Sequence, residues 1–171
     1  MLELKIIPLG KVNKLVLGEI ASALKEKFKA KVRITPSVDL PTEAYNKLRG
    51  QYLGVSLIEY LANNYEGRIL GVTNEDMYAV GLNFIFGQAQ LNGRVAVISL
   101  CRLNPEFYKE RKNDRLLMKR ARKEAIHEIG HTFGLTHCTN EDCVMCFSNT
   151  IREVDMKSED FCEMCKLRLR P

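Results

Sequence analysis

No segment of this chain approaches the run of about 18 apolar residues that a membrane-spanning helix requires. The N-terminus, Met1-Leu2-Glu3-Leu4-Lys5-Ile6-Ile7-Pro8-Leu9-Gly10, is broken by charges and a proline, so it lacks the apolar centre of an export signal. Internal repeats, low-complexity tracts and linkers are also missing. Cysteine is nearly absent from the first two-thirds. Cys101 stands alone there, and Cys138, Cys143, Cys146, Cys162 and Cys165 crowd the last third. A disulfide framework would spread its bridges along the chain, so these thiols are expected to be metal ligands or free core residues. Together the absences predict a cytosolic protein with no membrane partner. Histidine is scarce as well, with three in 171 residues.

What is present fits a globular chain. A hydrophobic fraction of 46% with 27% charged residues excludes disordered and collagen-like classes. The length allows one domain with a substantial core and is short for two. The net charge of +5 is mild. Much of it sits in Arg111-Lys112, Arg115, Lys119-Arg120 and Arg122-Lys123, and again in Lys166, Arg168 and Arg170. The expectation is a solvated helix face, with attraction to nucleic acid or an acidic substrate as the alternative.

Strands are predicted over Leu2–Leu9, Lys31–Pro36, Ile69–Val72, Leu82–Phe86 and Arg94–Leu100, with Gly87 and Asn92-Gly93 supplying turn chemistry. Apolar positions at helical spacing predict helices over Leu15–Phe28 and Leu53–Tyr65. Pro41 and the polar run after it read as a connection. Asp114 is the expected N-cap of a long helix from Arg115 to about Phe133, and Ser158 that of a last helix with Glu159 and Asp160 in its first turn. Strands alternating with helices suggest an α+β fold, a mixed sheet with helices packed on it. A smaller helical part follows, stapled by metal.

All three histidines fall in one stretch, Ala125-Ile126-His127-Glu128-Ile129-Gly130-His131-Thr132-Phe133-Gly134-Leu135-Thr136-His137. On a helix His127 and His131 lie one turn apart on the same face, so two imidazoles can reach one ion without bending the backbone. Glu128 points to the adjacent side, where it can touch a water on the metal. Gly134 can take the left-handed conformation that ends a helix, and the turn would bring His137 back as a third ligand. Three histidines plus water form an open, catalytic type of zinc site. Four thiolates around a second zinc would form a closed structural site. By spacing, Cys143-x2-Cys146 with Cys162-x2-Cys165 is the usual pairing. Cys101, ending an apolar strand, reads as a buried small hydrophobe.

The pattern H-E-x-x-H-x-x-G-x-x-H resembles that of the metzincin zinc peptidases. His137-Cys138, then Cys143-Val144-Met145 and Cys162-Glu163-Met164-Cys165, narrow the resemblance to the archaemetzincin family. Gly71 to Asp76 and Gly81 to Gly87 are also similar to archaemetzincin sequence, less diagnostically. The resemblance implies a metzincin-like single catalytic domain over 1–171, with an upper part (1–134) that includes the active-site helix and a lower, zinc-stapled part (135–171). It implies two zinc ions: a catalytic one on His127, His131 and His137, and a structural one on Cys138, Cys143, Cys162 and Cys165, leaving Cys146 spare. It implies that Glu128 is the general base, that Met145 is the methionine turn, and that Leu82 to Gln90 is an edge strand for a peptide substrate. The expected reaction is peptide-bond hydrolysis by a zinc-activated water. A zinc-containing module that binds peptide or nucleic acid without catalysis is the alternative; the nucleic-acid form leaves the ordered histidines and Glu128 without a purpose.

Overall fold

A computed structural model describes residues 1–169, so Arg170 of the basic C-terminal surplus lies outside the described residues. The chain is α+β. Its elements run β1 (Glu3–Leu9), α1 (Lys14–Phe28), β2 (Lys31–Ile34), β3 (Tyr45–Asn46), β4 (Gln51–Leu53) and α2 (Gly54–Asn64). Then come β5 (Arg68–Thr73), β6 (Met77–Tyr78), β7 (Gly87–Ala89), β8 (Val95–Ser99), α3 (Asp114–Thr132), α4 (Ile151–Met156) and α5 (Glu163–Arg168).

The main sheet has the order β2-β1-β5-β8-β7. Its first four strands are parallel, and β7 closes one edge antiparallel to β8. Parallel strands are joined by helices that cover both faces, so central strands read as near-continuous apolar runs. All five residues of β8 are buried. The pleat splits them: Ala96 and Ile98 join Leu4, Ile6, Leu70 and Val72 under α1 and α3, while Val95 and Val97 join Ile7, Leu9 and Ile69 under α2. Asn13 caps α1 by accepting from the Leu15 amide, and the helix lays Val16, Leu17, Ile20, Leu24 and Phe28 on the sheet.

Several sequence expectations need correction. Leu82–Phe86 is not a strand; it contributes one bridge, Ile85 to Met77. The carbonyls of Leu82 and Asn83 accept from Arg49 Nη2 at 2.8 and 3.0 Å, and Gln51 Nε2 donates to Asn83 at 2.9 Å. Side chains thus take the bonds that a neighbouring strand would have made. The strand starts at Gly87 instead, a residue expected to turn. The stretch after Pro41 holds β3 and β4, which pair with β6 in a small second sheet. Helix α3 is capped by Asn113, with Asp114 its first residue. Ser158 caps no helix: its hydroxyl holds the Asp160 amide at 3.1 Å in a bend. A capping box of Thr150 and Glu153 starts α4 instead, and Cys162 precedes α5.

The basic face of α3 is also only partly solvated. Arg120 and Lys123 are buried. Arg120 forks onto Asp155 at 2.8 and 2.7 Å, Arg122 forks onto Glu159 at 2.9 and 3.0 Å, and Lys123 Nζ donates to the carbonyls of Val154 and Asp155. Bidentate guanidinium–carboxylate pairs fix orientation as well as distance, so the C-terminal segment is clamped along the active-site helix. Among the described residues no helix is long and apolar enough to cross a membrane.

Candidate active site and metal centres

Helix α3 is almost wholly buried from Arg120 to Thr132, with the sheet on one side and the C-terminal segment on the other. Its last two turns carry His127 and His131. Gly134 then sits at φ +89°, and its amide donates to His131 at 2.9 Å while Leu135 donates to Gly130 at 3.2 Å. This left-handed turn reverses the chain and brings the His137 ring to 4.9 Å from His131 and 5.4 Å from His127, centre to centre. A ring nitrogen of each histidine lies within 4.8 Å of those of the other two.

The chemistry of these nitrogens fits a shared cation. Nδ1 of His127 lies 2.7 Å from the Val144 carbonyl, and Nδ1 of His131 lies 2.7 Å from the Leu135 carbonyl. A carbonyl can only accept, so each Nδ1 carries the proton and each Nε2 presents a lone pair. These two lone pairs face each other at 3.0 Å, which is repulsive unless a positive ion lies between them. Three zinc–nitrogen bonds of about 2.0–2.1 Å in a tetrahedron place the nitrogens about 3.3 Å apart. Burial pushes all three imidazole pKa values below the usual range, His127 furthest, so the rings stay neutral, as metal ligands must be.

Met145 packs directly beneath the helix. A Cβ at Gly130 would fall 2.6 Å from its Sδ, so the close approach depends on that glycine. The Cys138 amide donates to the Met145 carbonyl at 2.9 Å, tying the His137 loop to this turn. Glu128 faces a cleft of about 580 Å³ between β7 and the segment after Met145, where Phe147 lies 5.0 Å from the His137 ring. Glu128 is 4% exposed, and its Oε2 has no hydrogen-bond partner among the described residues. Burial raises its pKa well above the usual carboxylate range, with the charge of Glu124 adding and that of Lys157 opposing.

The sulfurs of Cys138, Cys143, Cys162 and Cys165 lie within 4.8 Å of one another, while Cys146 stands outside the group. Zinc–sulfur bonds of about 2.3 Å give tetrahedral edges of about 3.8 Å, and Cys138 Sγ to Cys162 Sγ is 3.8 Å. Backbone amides of Asn140 and Cys162 donate to the sulfurs of Cys138 and Cys143. The Cys165 backbone amide draws the Cys162 thiol down to about 7, whereas burial pushes Cys143 and Cys165 up, so those two need a cation beside them to ionise near neutral pH. Cys101 lies apart, half-buried, with its thiol pushed up to about 11 by burial.

The model of peptidase family M54 matches residues 9–171. The chain belongs to that family. It is 47% identical over 166 residues to the archaemetzincin of Methanocaldococcus jannaschii, covering 95% of this chain and 90% of that protein. The crystal structure of the Archaeoglobus fulgidus archaemetzincin, solved with malonate, superposes with a TM-score of 0.88 at 39% identity, covering 98% of this chain and 99% of that one. A zinc-dependent peptidase from Methanocorpusculum labreanum also reaches 0.88, at 27% identity over 98% of this chain and 100% of that one. Membership of the M54 archaemetzincins makes this chain a zinc metallopeptidase whose substrates are peptides or proteins.

The residues that sequence reasoning missed here are Glu124 and Lys157, both buried against the cleft. Among 21 acidic and 26 basic residues, neither belongs to any spacing pattern that could have marked it.

Proposed function

We propose that residues 1–171 form one catalytic unit that hydrolyses peptide bonds in the cleft between its parts 1–134 and 135–171. In this reading His127, His131 and His137 hold a catalytic zinc, and Glu128 is the general base. Cys138, Cys143, Cys162 and Cys165 hold a structural zinc, giving two ions per chain. The observation that carries the reading is the pair of facing Nε2 lone pairs beside an unpartnered buried carboxylate.

Zinc, when bound by the histidines, supplies polarisation of the scissile carbonyl and a water acidic enough to react near neutral pH. The chain's own residues do the rest. The carbonyls of Val144 and Leu135 fix two imidazoles in the tautomer that ligates. Glu128 takes the proton of the attacking water at its carboxylate and passes it to the leaving amine; its raised pKa brings it nearer the optimum for such a shuttle. Among the described residues no strand pairs with the outer edge of β7, so an extended peptide can add there by main-chain hydrogen bonds.

Gly87 on that edge sets the seat of Glu128. A Cβ at Gly87 would lie 2.6 Å from Glu128 Oε1 and 2.7 Å from its Cγ. Gly87→Ala is expected to lower kcat/KM by about 10- to 100-fold through displacement of the base, with zinc content unchanged. Steady-state kinetics with metal analysis on one sample checks it; wild-type kinetics would show that Glu128 does not need this seat.

The reading as a whole is tested by digesting a peptide library. Cleavage should stop on chelation and return with zinc, and the untreated protein should carry both metals. Library cleavage that persists in the fully chelated protein would refute it. Six unpaired thiols suit a reducing compartment, which supports a cytosolic location. A nucleic-acid partner is disfavoured because Arg120, Arg122 and Lys123 spend their charge inside the molecule.

A further inference from the structure

Among the described residues four buried side-chain atoms lack a hydrogen-bond partner: Gln88 Oε1, Glu124 Oε1, Glu128 Oε2 and Ser148 Oγ. All four residues line the active-site cleft. The proposed reaction employs Glu128. Glu124 is the second carboxylate, one helical turn earlier on the same face of α3. It is 4% exposed, and its side chain makes no hydrogen bond among the described residues.

The neighbour of Glu124 is Lys157, at the C-terminal end of α4 and 3% exposed. Lys157 Nζ donates to the Cys146 carbonyl at 3.1 Å, so it anchors the segment that leads from Met145 to Phe147 and walls the cleft. It lies 3.5 Å from Glu124 Oε1, close enough for an ion pair but without hydrogen-bond geometry. An ammonium this deep needs a counter-ion, because a buried charge left unpaired is strongly destabilising. Two carboxylates on one helix face compete for that place. Glu124, Glu128 and Lys157 all line the one cleft. Were Lys157 to pair with Glu128, a charge-assisted bond would hold the carboxylate away from the water it must meet.

We propose that Glu124 is the counter-ion that keeps Lys157 from capturing Glu128, so that the wall-anchoring lysine is neutralised and the base stays free in the cleft. Glu124 is in this sense a positioning residue. The proposal rests on the reading of Glu128 as the base.

The test uses the zinc-loaded full chain and a peptide identified from the library digest. Glu124→Gln keeps the side-chain shape and removes the charge. Its kcat should fall about 10-fold or more, with KM within about twofold and zinc content unchanged. A crystal structure of that variant should show Lys157 Nζ on the Glu128 carboxylate. The double variant Glu124→Gln/Lys157→Met should recover most of the lost kcat, even if it melts lower, because no ammonium remains to capture the base. If it fails to fold, Glu124→Gln/Lys157→Gln keeps a donor toward the Cys146 carbonyl and takes its place. Wild-type kcat in Glu124→Gln overturns the proposal. So does a double variant no more active than Glu124→Gln, the result expected if the pair were only structural or Lys157 itself were required. Glu128→Ala is assayed alongside. If that variant is active, the base assignment fails first and the proposal falls with it; if it is inactive while Glu124→Gln is unimpaired, the role of Glu124 alone fails.

Discussion

Glu128→Ala is expected to lower turnover by about two to four orders of magnitude while zinc content stays unchanged. The loss follows from position. The carboxylate is buried at the cleft, its Oε2 has no partner among the described residues, and a Cβ at position 87 of β7 would lie 2.6 Å from its Oε1. No other buried carboxylate in the cleft can replace it without moving, since Glu124 sits a turn away beside Lys157. Zinc should be retained because the rings of His127 and His131 are oriented by the carbonyls of Val144 and Leu135, not by Glu128. Alanine is also the residue best tolerated inside a helix, so α3 should persist. Turnover and metal content measured on one preparation decide the matter. Activity near wild type would remove Glu128 from the mechanism and leave the proton transfer to another group.

Cys162→Ser is expected to have the largest effect on stability. Cys162 lies at the start of α5, its sulfur is 3.8 Å from that of Cys138, and its amide donates to the sulfur of Cys143. It thus joins the His137 loop, the turn at Met145 and the last helix. A structural zinc contributes about 10–16 kcal/mol of apparent binding free energy in small zinc-folded peptides, and that energy is lost with the site. Folded yield and melting temperature should both drop, and total zinc should fall by about half or more, because the loop bearing His137 loses its anchor. Cys146→Ser is the control, since its sulfur stands outside the group, and it should change neither yield nor zinc. Loss of zinc in Cys146→Ser instead would move the fourth ligand from Cys138 to Cys146.

The contrast between these two sites shows how far local spacing reaches. His127 and His131 are fixed relative to each other by helix geometry alone, and Gly134 announces the turn that returns His137. Their convergence needed no long-range information. The cysteines are different, because spacing favoured Cys143 with Cys146 and only the family resemblance pointed to Cys138. Cys138 is brought in by a backbone bond to Met145, a contact that depends on how the chain folds back under α3. The edge strand shows the same limit. Leu82–Phe86 has the apolar character of a strand, yet Arg49 and Gln51, more than thirty residues earlier, take its carbonyls and delay the strand to Gly87.

The sequence alone determined the convergence of the three histidines, the central strands as continuous apolar runs, the first helix and the crowding of thiols near the C-terminus. These follow from periodicities of two and 3.6 residues and from the conformational reach of one glycine, which are local properties. Tertiary structure decided which four cysteines meet, where the edge strand β7 begins, that Arg120 and Lys123 face inward, and that Lys157 lies beside Glu124 at the cleft. Each of these depends on contacts between residues tens of positions apart. Their burial and charge pairing arise only when the sheet, α3 and the C-terminal segment pack together.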